Sequence, residues 1–297
     1  MMNNLNNSDS KENIKVMVRV RPLIERELGK SNLIRIEDNE MLVTFSKEVK
    51  QFSYDHIANE NSSQYEVFEK TAKPIVDSVL QGYNGTIFVY GMTGSGKTYT
   101  LLGNTYSVSN FSNYNDGNMS KMSSTNFQNE SSGIDHKGIL PLSIEYLFHQ
   151  IKQKEENDNN IGTTTLSCYY LEIYKEGLYD LLDEFSVNKQ LQIRENTNKS
   201  MVVDGLIKLP MESVETALNH VKKGSRNRHV GYTNMNSESS RSHAVFSIYL
   251  ENKSTTHDNK VRTMKSVFHF IDLAGSERQS ATDSVGERLN EAQKINK

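Results

Sequence analysis

Gly85-Thr86-Ile87-Phe88-Val89-Tyr90-Gly91-Met92-Thr93-Gly94-Ser95-Gly96-Lys97-Thr98-Tyr99 is the stretch whose reading decides the fold. Gly85 to Tyr90 is a short apolar run of the kind that forms a buried strand. It leads directly into Gly91, Gly96, Lys97 and Thr98 at the spacing G-x-x-x-x-G-K-[ST]. A helix is expected to begin between Thr98 and Leu102. Strand, glycine-rich loop and helix in that order make a phosphate cradle. The glycines let the backbone wrap closely and aim its N–H groups inward, and the helix N-terminus adds a positive dipole end. The lysine of such a loop reaches the β- and γ-phosphates, and the hydroxyl after it ligates Mg²⁺. Gly91, Met92, Thr93, Gly94, Ser95, Gly96, Lys97 and Thr98 are therefore expected to hold a nucleoside triphosphate, with Thr98 at the metal. A chance glycine-rich turn would lack this strand and this helix.

Outward from the loop, strands and helices alternate. Ile14 to Arg21 alternates apolar and polar residues and reads as a strand closed by Pro22, which cannot donate to a ladder. Residues 33–54 carry short strand-like runs. Val67, Phe68, Ala72, Ile75, Val76, Val79 and Leu80 fall at helical spacing, with Pro74 set to bend that helix. Helical spacing resumes at Ile139, Leu142, Ile144, Leu147, Phe148 and Ile151. Thr164–Tyr174, Leu191–Arg194 and Met201–Gly205 read as strands. Ser213 is placed to cap a helix over Thr216–Arg228. Ala244–Leu250 and Val261–Asp272 read as a hairpin around Asn252–Lys260. Residues 1–13 look like a disordered tail, and the Asn- and Ser-rich segment 104–137 like a disordered insertion. The expected class is α/β: a central, mostly parallel sheet with helices on both faces.

At 297 residues the chain can hold one large domain or two small ones. A formal net charge of -3 argues against a nucleic-acid partner held by a broad positive field. No apolar run is long enough to span a bilayer, so no membrane partner is expected. The polar N-terminus lacks the apolar core of a secretory signal. The single cysteine, Cys168, excludes an intrachain disulfide, fits a reducing compartment and reads as a core residue.

Two further motifs choose among triphosphate-binding folds. Asn236-Ser237-Glu238-Ser239-Ser240-Arg241-Ser242-His243 is one, and Asp272-Leu273-Ala274-Gly275-Ser276-Glu277 the other. With them the chain resembles the kinesin motor domain, whose two γ-phosphate-sensing switches read NxxSSRSH and DLAGSE. Arg19-Val20-Arg21-Pro22 is similar to that family's adenine-site motif, and Tyr99 stands where the family puts a ring beside the base. Leu171–Glu176 with Asp180-Leu181-Leu182, and Leu289–Ala292 with Ile295–Lys297, match further family stretches. The resemblance runs from about Ile14 to the last residue.

The resemblance implies ATP as substrate, Mg²⁺ as cofactor and microtubules as the track. It implies that Asp272 holds a metal-bound water, that Ser240 gives its hydroxyl to Mg²⁺ or the γ-phosphate, and that Gly275 brings its N–H to the γ-phosphate. Arg241 and Glu277 would form the ion pair between the switches that positions the attacking water, with Asn236 beside them. Phosphoryl transfer needs positioning more than a strong base, so His243 reads as structural. Arg194, Lys199, Lys294 and Lys297 are the cations the resemblance directs at acidic tubulin. An N-terminal motor implies plus-end movement and a cytoplasmic, cytoskeletal location, including the spindle. Ser225–Arg228 and Asp272–Gln279 look most like spindle kinesins of the twelve class. Met92 departs from the glutamine many kinesins carry, with little expected effect. Kinesin heads continue beyond the helix begun at Gly286, so this span alone is expected to be poorly soluble and weakly active, and any homo-oligomer would form through regions outside it. Two other readings stand beside the motor: a non-cycling microtubule-binding module, and an unrelated NTPase acting on nucleic acid. The complete switches speak against the first, and the switches with the acidic balance against the second.

Overall fold

The structure is a computed structural model. It describes residues 14–29, 33–37, 40–45, 48–104, 136–157, 162–183, 189–197, 199, 201–230, 241–255 and 260–277. The expected disordered tail, nearly all of the Asn/Ser insertion and the C-terminal helix start lie outside these residues. The chain divides into two compact units, residues 1–62 and 63–297.

In the first unit, β1 (Met17–Arg19) pairs in parallel with β5 (His56–Ala58). Between them β2 (Ile34–Glu37), β3 (Glu40–Phe45) and β4 (Glu48–Ser53) form an antiparallel meander, as the short alternating runs suggest.

The second unit opens with α1 (Gln64–Val79). Ser63 caps it: its hydroxyl accepts the Glu66 N–H at 3.1 Å, and the Glu66 carboxylate accepts the Ser63 N–H at 2.9 Å. This reciprocal pair satisfies two donors that a helix start leaves over. Pro74 lies inside the helix without ending it. Next come β6 (Gly85–Val89), α2 (Lys97–Leu102) and α3 (Ile139–Asn157). The segment between α2 and α3 is closed at its base, where Gly103 bridges Lys137 and the Asn104 N–H donates to the His136 carbonyl at 2.8 Å. There follow β7 (Thr163–Tyr174), β8 (Gly177–Asp180), β9 (Gln190–Glu195), β10 (Met201–Asp204), β11 (Leu209–Pro210), α4 (Val214–Val230), β12 (His243–Thr255) and β13 (Val261–Asp272). Ser213 caps α4, its hydroxyl accepting the Thr216 N–H at 3.1 Å.

The large sheet has the order β10-β9-β8-β7-β12-β13-β6, with β11 on β7. It is mixed rather than mostly parallel: among the described residues only β6 and β13 of this sheet run in parallel, and its other pairings are antiparallel. The apolar runs that suggested parallel strands come instead from burial under helices. Phe246, Ile248, Phe268, Phe270, Cys168 and Tyr170 share one face by register and are buried. Against that face pack Ile75 and Val79 of α1 and Gly224 of α4, while α3 packs on α1 and α4. The expected helices on a second face are not among the described residues. β6 also departs from expectation. Gly85 and Ile87 are buried under the helices, but Thr86 and Phe88 point to the opposite face and are exposed, Phe88 by 60%.

Candidate functional site

The parallel pairing of β6 with β13 builds the site. Asp272 lies opposite Val89, so the glycine-rich loop and the DLAGSE segment leave the same end of adjacent strands. In α/β sheets this carboxyl end is where ligands bind. Cross-links hold the two segments together: the Leu273 N–H donates to Val89 O at 3.3 Å and the Ser276 N–H to Gly91 O at 3.1 Å. Gly94 and Gly96 take φ of 77° and 98°, the left-handed region that lets the loop turn back over itself.

Lys97 reaches back across the loop and donates to the carbonyls of Gly91 at 2.9 Å and Met92 at 3.1 Å. Burial pulls its ammonium below the usual lysine range and the Arg228 charge adds to this; the carboxylates of Asp272 and Glu277 oppose the shift without cancelling it. The Met92 side chain points outward, 61% exposed, so only its backbone takes part.

Thr98 Oγ1 donates to Asp272 Oδ2 at 2.9 Å. The same oxygen accepts from Arg228 Nη1 at 2.7 Å. Asp272 Oδ1 is buried and has no hydrogen-bond partner among the described residues. A hydroxyl and a carboxylate oxygen left open beside a phosphate loop are hard oxygen donors. They fit Mg²⁺, which takes one or two protein oxygens and completes its shell with water and phosphate.

Arg228 was not legible as a site residue. It lies in α4, buried, and reads locally as one more cation on a polar helix. Its fork binds Asp272, and it also donates through Nη2 to Ser242 O at 2.9 Å and through Nε to Ser242 Oγ at 3.3 Å, with Glu172 Oε1 at 3.8 Å. Burial alone would lower its guanidinium; the charges of Asp272 and Glu172 and the proximity of Tyr170 turn the shift upward.

Glu277 settles on the loop. The Thr93 N–H donates to its Oε2 at 2.9 Å and the Thr93 hydroxyl donates to its Oε1. Burial pushes this carboxyl up, but the Thr93 bonds and the Lys97 charge outweigh it and hold it below the usual range. A methyl at Gly275 would lie 2.6 Å from Thr93 Oγ1 and press on the same carboxylate. His243 Nδ1 accepts the Ala274 N–H at 3.1 Å, so it braces the backbone of this segment.

The structure thus brings together Gly91 to Thr98, Asp272, Gly275 and Glu277. Arg241 is half-buried just ahead of β12. Asn236 and Ser240 lie outside the described residues, as do Lys294 and Lys297. Tyr99 follows in α2, 37% exposed, and its carbonyl accepts from Gln64 Nε2 at 2.7 Å. Arg19, Arg21 and Pro22 belong to the first unit. There Arg19 Nη2 donates to Ser62 O at 3.3 Å, and Arg21 makes a two-pronged pair with Glu27 at 2.8 and 2.9 Å. On the β9–β10 hairpin, Arg194 pairs across the strands with Asp204 at 3.2 Å. Lys199 turns the chain with φ of 58°.

The family model of the kinesin motor domain matches residues 4–297. The chain belongs to the kinesin motor domain family. Its kinesin relatives include Kinesin-like protein KIF15 of Strongylocentrotus purpuratus, 40% identical over 98% of this chain and 18% of the relative. Kinesin-like protein KIF15 of Homo sapiens is 38% identical over 98% of the chain and 20% of the relative. Kinesin-like protein KIN-12D of Arabidopsis thaliana is 36% identical over 96% of the chain and 10% of the relative. The chain therefore spans a fifth or less of the length of these kinesins. The KIN-12 member among them agrees with the resemblance to the twelve class. A solved structure of a fast kinesin, described for its ATPase mechanism and interactions with microtubules, superposes with a TM-score of 0.77 at 31% identity, covering 95% of this chain and 71% of the other. The kinesin fold accounts for the juxtaposition of loop and switch on adjacent parallel strands.

Proposed function

We propose that this chain is the ATP-hydrolysing head of a microtubule motor, moving toward the plus end. The observation that carries the reading is the meeting of Thr98, Asp272 and Lys97 beside the carboxylate of Glu277. Phosphate donors, an oxygen site for Mg²⁺ and a carboxylate from a second segment converge at one strand end.

Lys97 leaves the carbonyls of Gly91 and Met92 and binds the β- and γ-phosphates. The N–H groups of Gly94 to Thr98 cradle the α- and β-phosphates. Mg²⁺, when bound, neutralises the charge developing on the phosphates. Thr98 and Ser240 would hold it directly and Asp272 through a water. Gly275 donates its N–H to the γ-phosphate. Arg241 and Glu277 pair in the closed state, bidentate pairing suiting a latch between loops. Together with Asn236 they orient the attacking water, which is most of what phosphoryl transfer asks of a protein. Arg19, Arg21, Pro22 and Tyr99 are the adenine contacts, and Arg194 and Lys199 the described candidates for tubulin contact. The protein works on the microtubule cytoskeleton, including the spindle.

The test is ATPase rate with and without microtubules, for the parent and for Glu277→Ala. Strong stimulation is expected in the parent, with near-complete loss of turnover in the variant and ATP still bound. A Glu277→Ala protein with unchanged turnover would refute the assigned role.

A further inference from the structure

Glu277 is an anion seated on a loop built for anions. Both of its oxygens accept from Thr93, one from the backbone N–H at 2.9 Å and one from the hydroxyl. The preceding residue is tied to the same loop, the Ser276 N–H donating to Gly91 O. Gly275 has no Cβ to obstruct the contact; a methyl there would meet both the carboxylate and Thr93 Oγ1. The Lys97 charge acts on the carboxylate, which remains ionised below its usual range. Lys97 itself is turned onto loop carbonyls. Thr93 lies against Gly275, whose Cβ would fall 2.6 Å from the Thr93 hydroxyl, and Gly275 is the residue assigned above to the γ-phosphate.

We propose that the Glu277 carboxylate is a built-in competitor for the terminal phosphate, and that Thr93 is the residue that positions it. In the conformation described, the carboxylate takes the two Thr93 donors. A triphosphate displaces it, because its γ-phosphate brings more charge to the Thr93 N–H and to Lys97, whereas the Thr93 hydroxyl serves the carboxylate alone. A diphosphate leaves the Thr93 contact closed. The displaced carboxylate is then the group that pairs with Arg241, so the exchange of partners at Glu277 reports whether a third phosphate is present. The inference rests on the ATP-binding reading above and adds to it a means of telling triphosphate from diphosphate.

The experiment measures affinities of the intact protein for a non-hydrolysable ATP analogue and for ADP, both with Mg²⁺, in the parent, Thr93→Val, Thr93→Ser and Glu277→Ala. Thr93→Val removes the hydroxyl and keeps the shape. It is expected to raise the affinity ratio of triphosphate over diphosphate by about tenfold, the factor that a hydrogen bond to a charged group commands. Glu277→Ala removes the competitor and is expected to shift the ratio at least as far. Thr93→Ser retains a hydroxyl and is expected to keep the parental ratio. An unchanged ratio in Thr93→Val or Glu277→Ala overturns the proposal, as does a Thr93→Ser ratio that follows Thr93→Val. A parent that binds neither nucleotide overturns the ATP-binding reading instead, and the two failures are distinguishable.

Discussion

Lys97 shows how a single residue can be chemically primed by its setting. Half-burial lowers its ammonium below the usual lysine range, and two neighbouring carboxylates limit the shift. A lysine depressed in the folded protein destabilises it at lower pH, where both folded and unfolded states are charged. That penalty is relieved as pH rises from the folded value toward the unfolded one, since the unfolded chain then holds more protons. Bound phosphates reverse the balance by supplying negative charge, which pulls the lysine back up. Triphosphate binding is therefore expected to take up protons on the alkaline side, and affinity to fall there as pH rises. Titration calorimetry in buffers of different ionisation enthalpy measures the uptake; a parent with no alkaline proton uptake that Lys97→Met abolishes would contradict this account. The loop spacing identified Lys97. Nothing in that spacing indicated its lowered pKa, which burial causes, which Asp272 and Glu277 limit and to which Arg228 adds, all three far along the chain.

At the scale of elements, α4 contains a glycine that helix propensity alone disfavours. Gly224 lies against Tyr170 of β7, and a methyl there would overlap the ring. Gly→Ala in a helix interior ordinarily gains about 1 kcal/mol. Here overpacking costs about 1–3 kcal/mol and outweighs it. Gly224→Ala is expected to destabilise the fold by about 1 kcal/mol in urea unfolding, with recovery when Tyr170→Leu is added. A simple gain in stability would mean that the ring has room to move. The capped start of α4 was legible because Ser213 acts locally; the Ser63–Glu66 pair at α1 acts as locally and was not read from the sequence. The hairpin of β12 and β13 was legible from two long runs around a polar turn. The parallel character assigned to the sheet was not. A continuous apolar run marks a buried strand in either orientation, and orientation depends on which strands become neighbours.

At the scale of the whole molecule, the site joins segments that the chain keeps apart. Thr98 meets Asp272 across 174 residues, and Thr93 meets Glu277 across 184. Arg228 adds α4 to this assembly. It is buried with a side-chain exposure of 4%, paired with Asp272 at 3%. Removing one partner of such a pair leaves an uncompensated buried charge. Arg228→Ala is expected to cost about 3–5 kcal/mol in urea unfolding, and less when Asp272→Ala is already present. Equal losses in both backgrounds would show that the two residues are not coupled.

The sequence by itself determined the phosphate loop, the two switch motifs, the family they belong to and the cap of α4, because each depends on residue types at short fixed spacings. The tertiary structure alone decided which groups those motifs meet. The register of β13 beside β6 puts Asp272 opposite Val89, and that pairing brings Asp272 to Thr98 and Glu277 to Thr93. Burial then chose Arg228 as the counter-charge. Contacts between distant segments follow from strand order and packing, which no local spacing encodes.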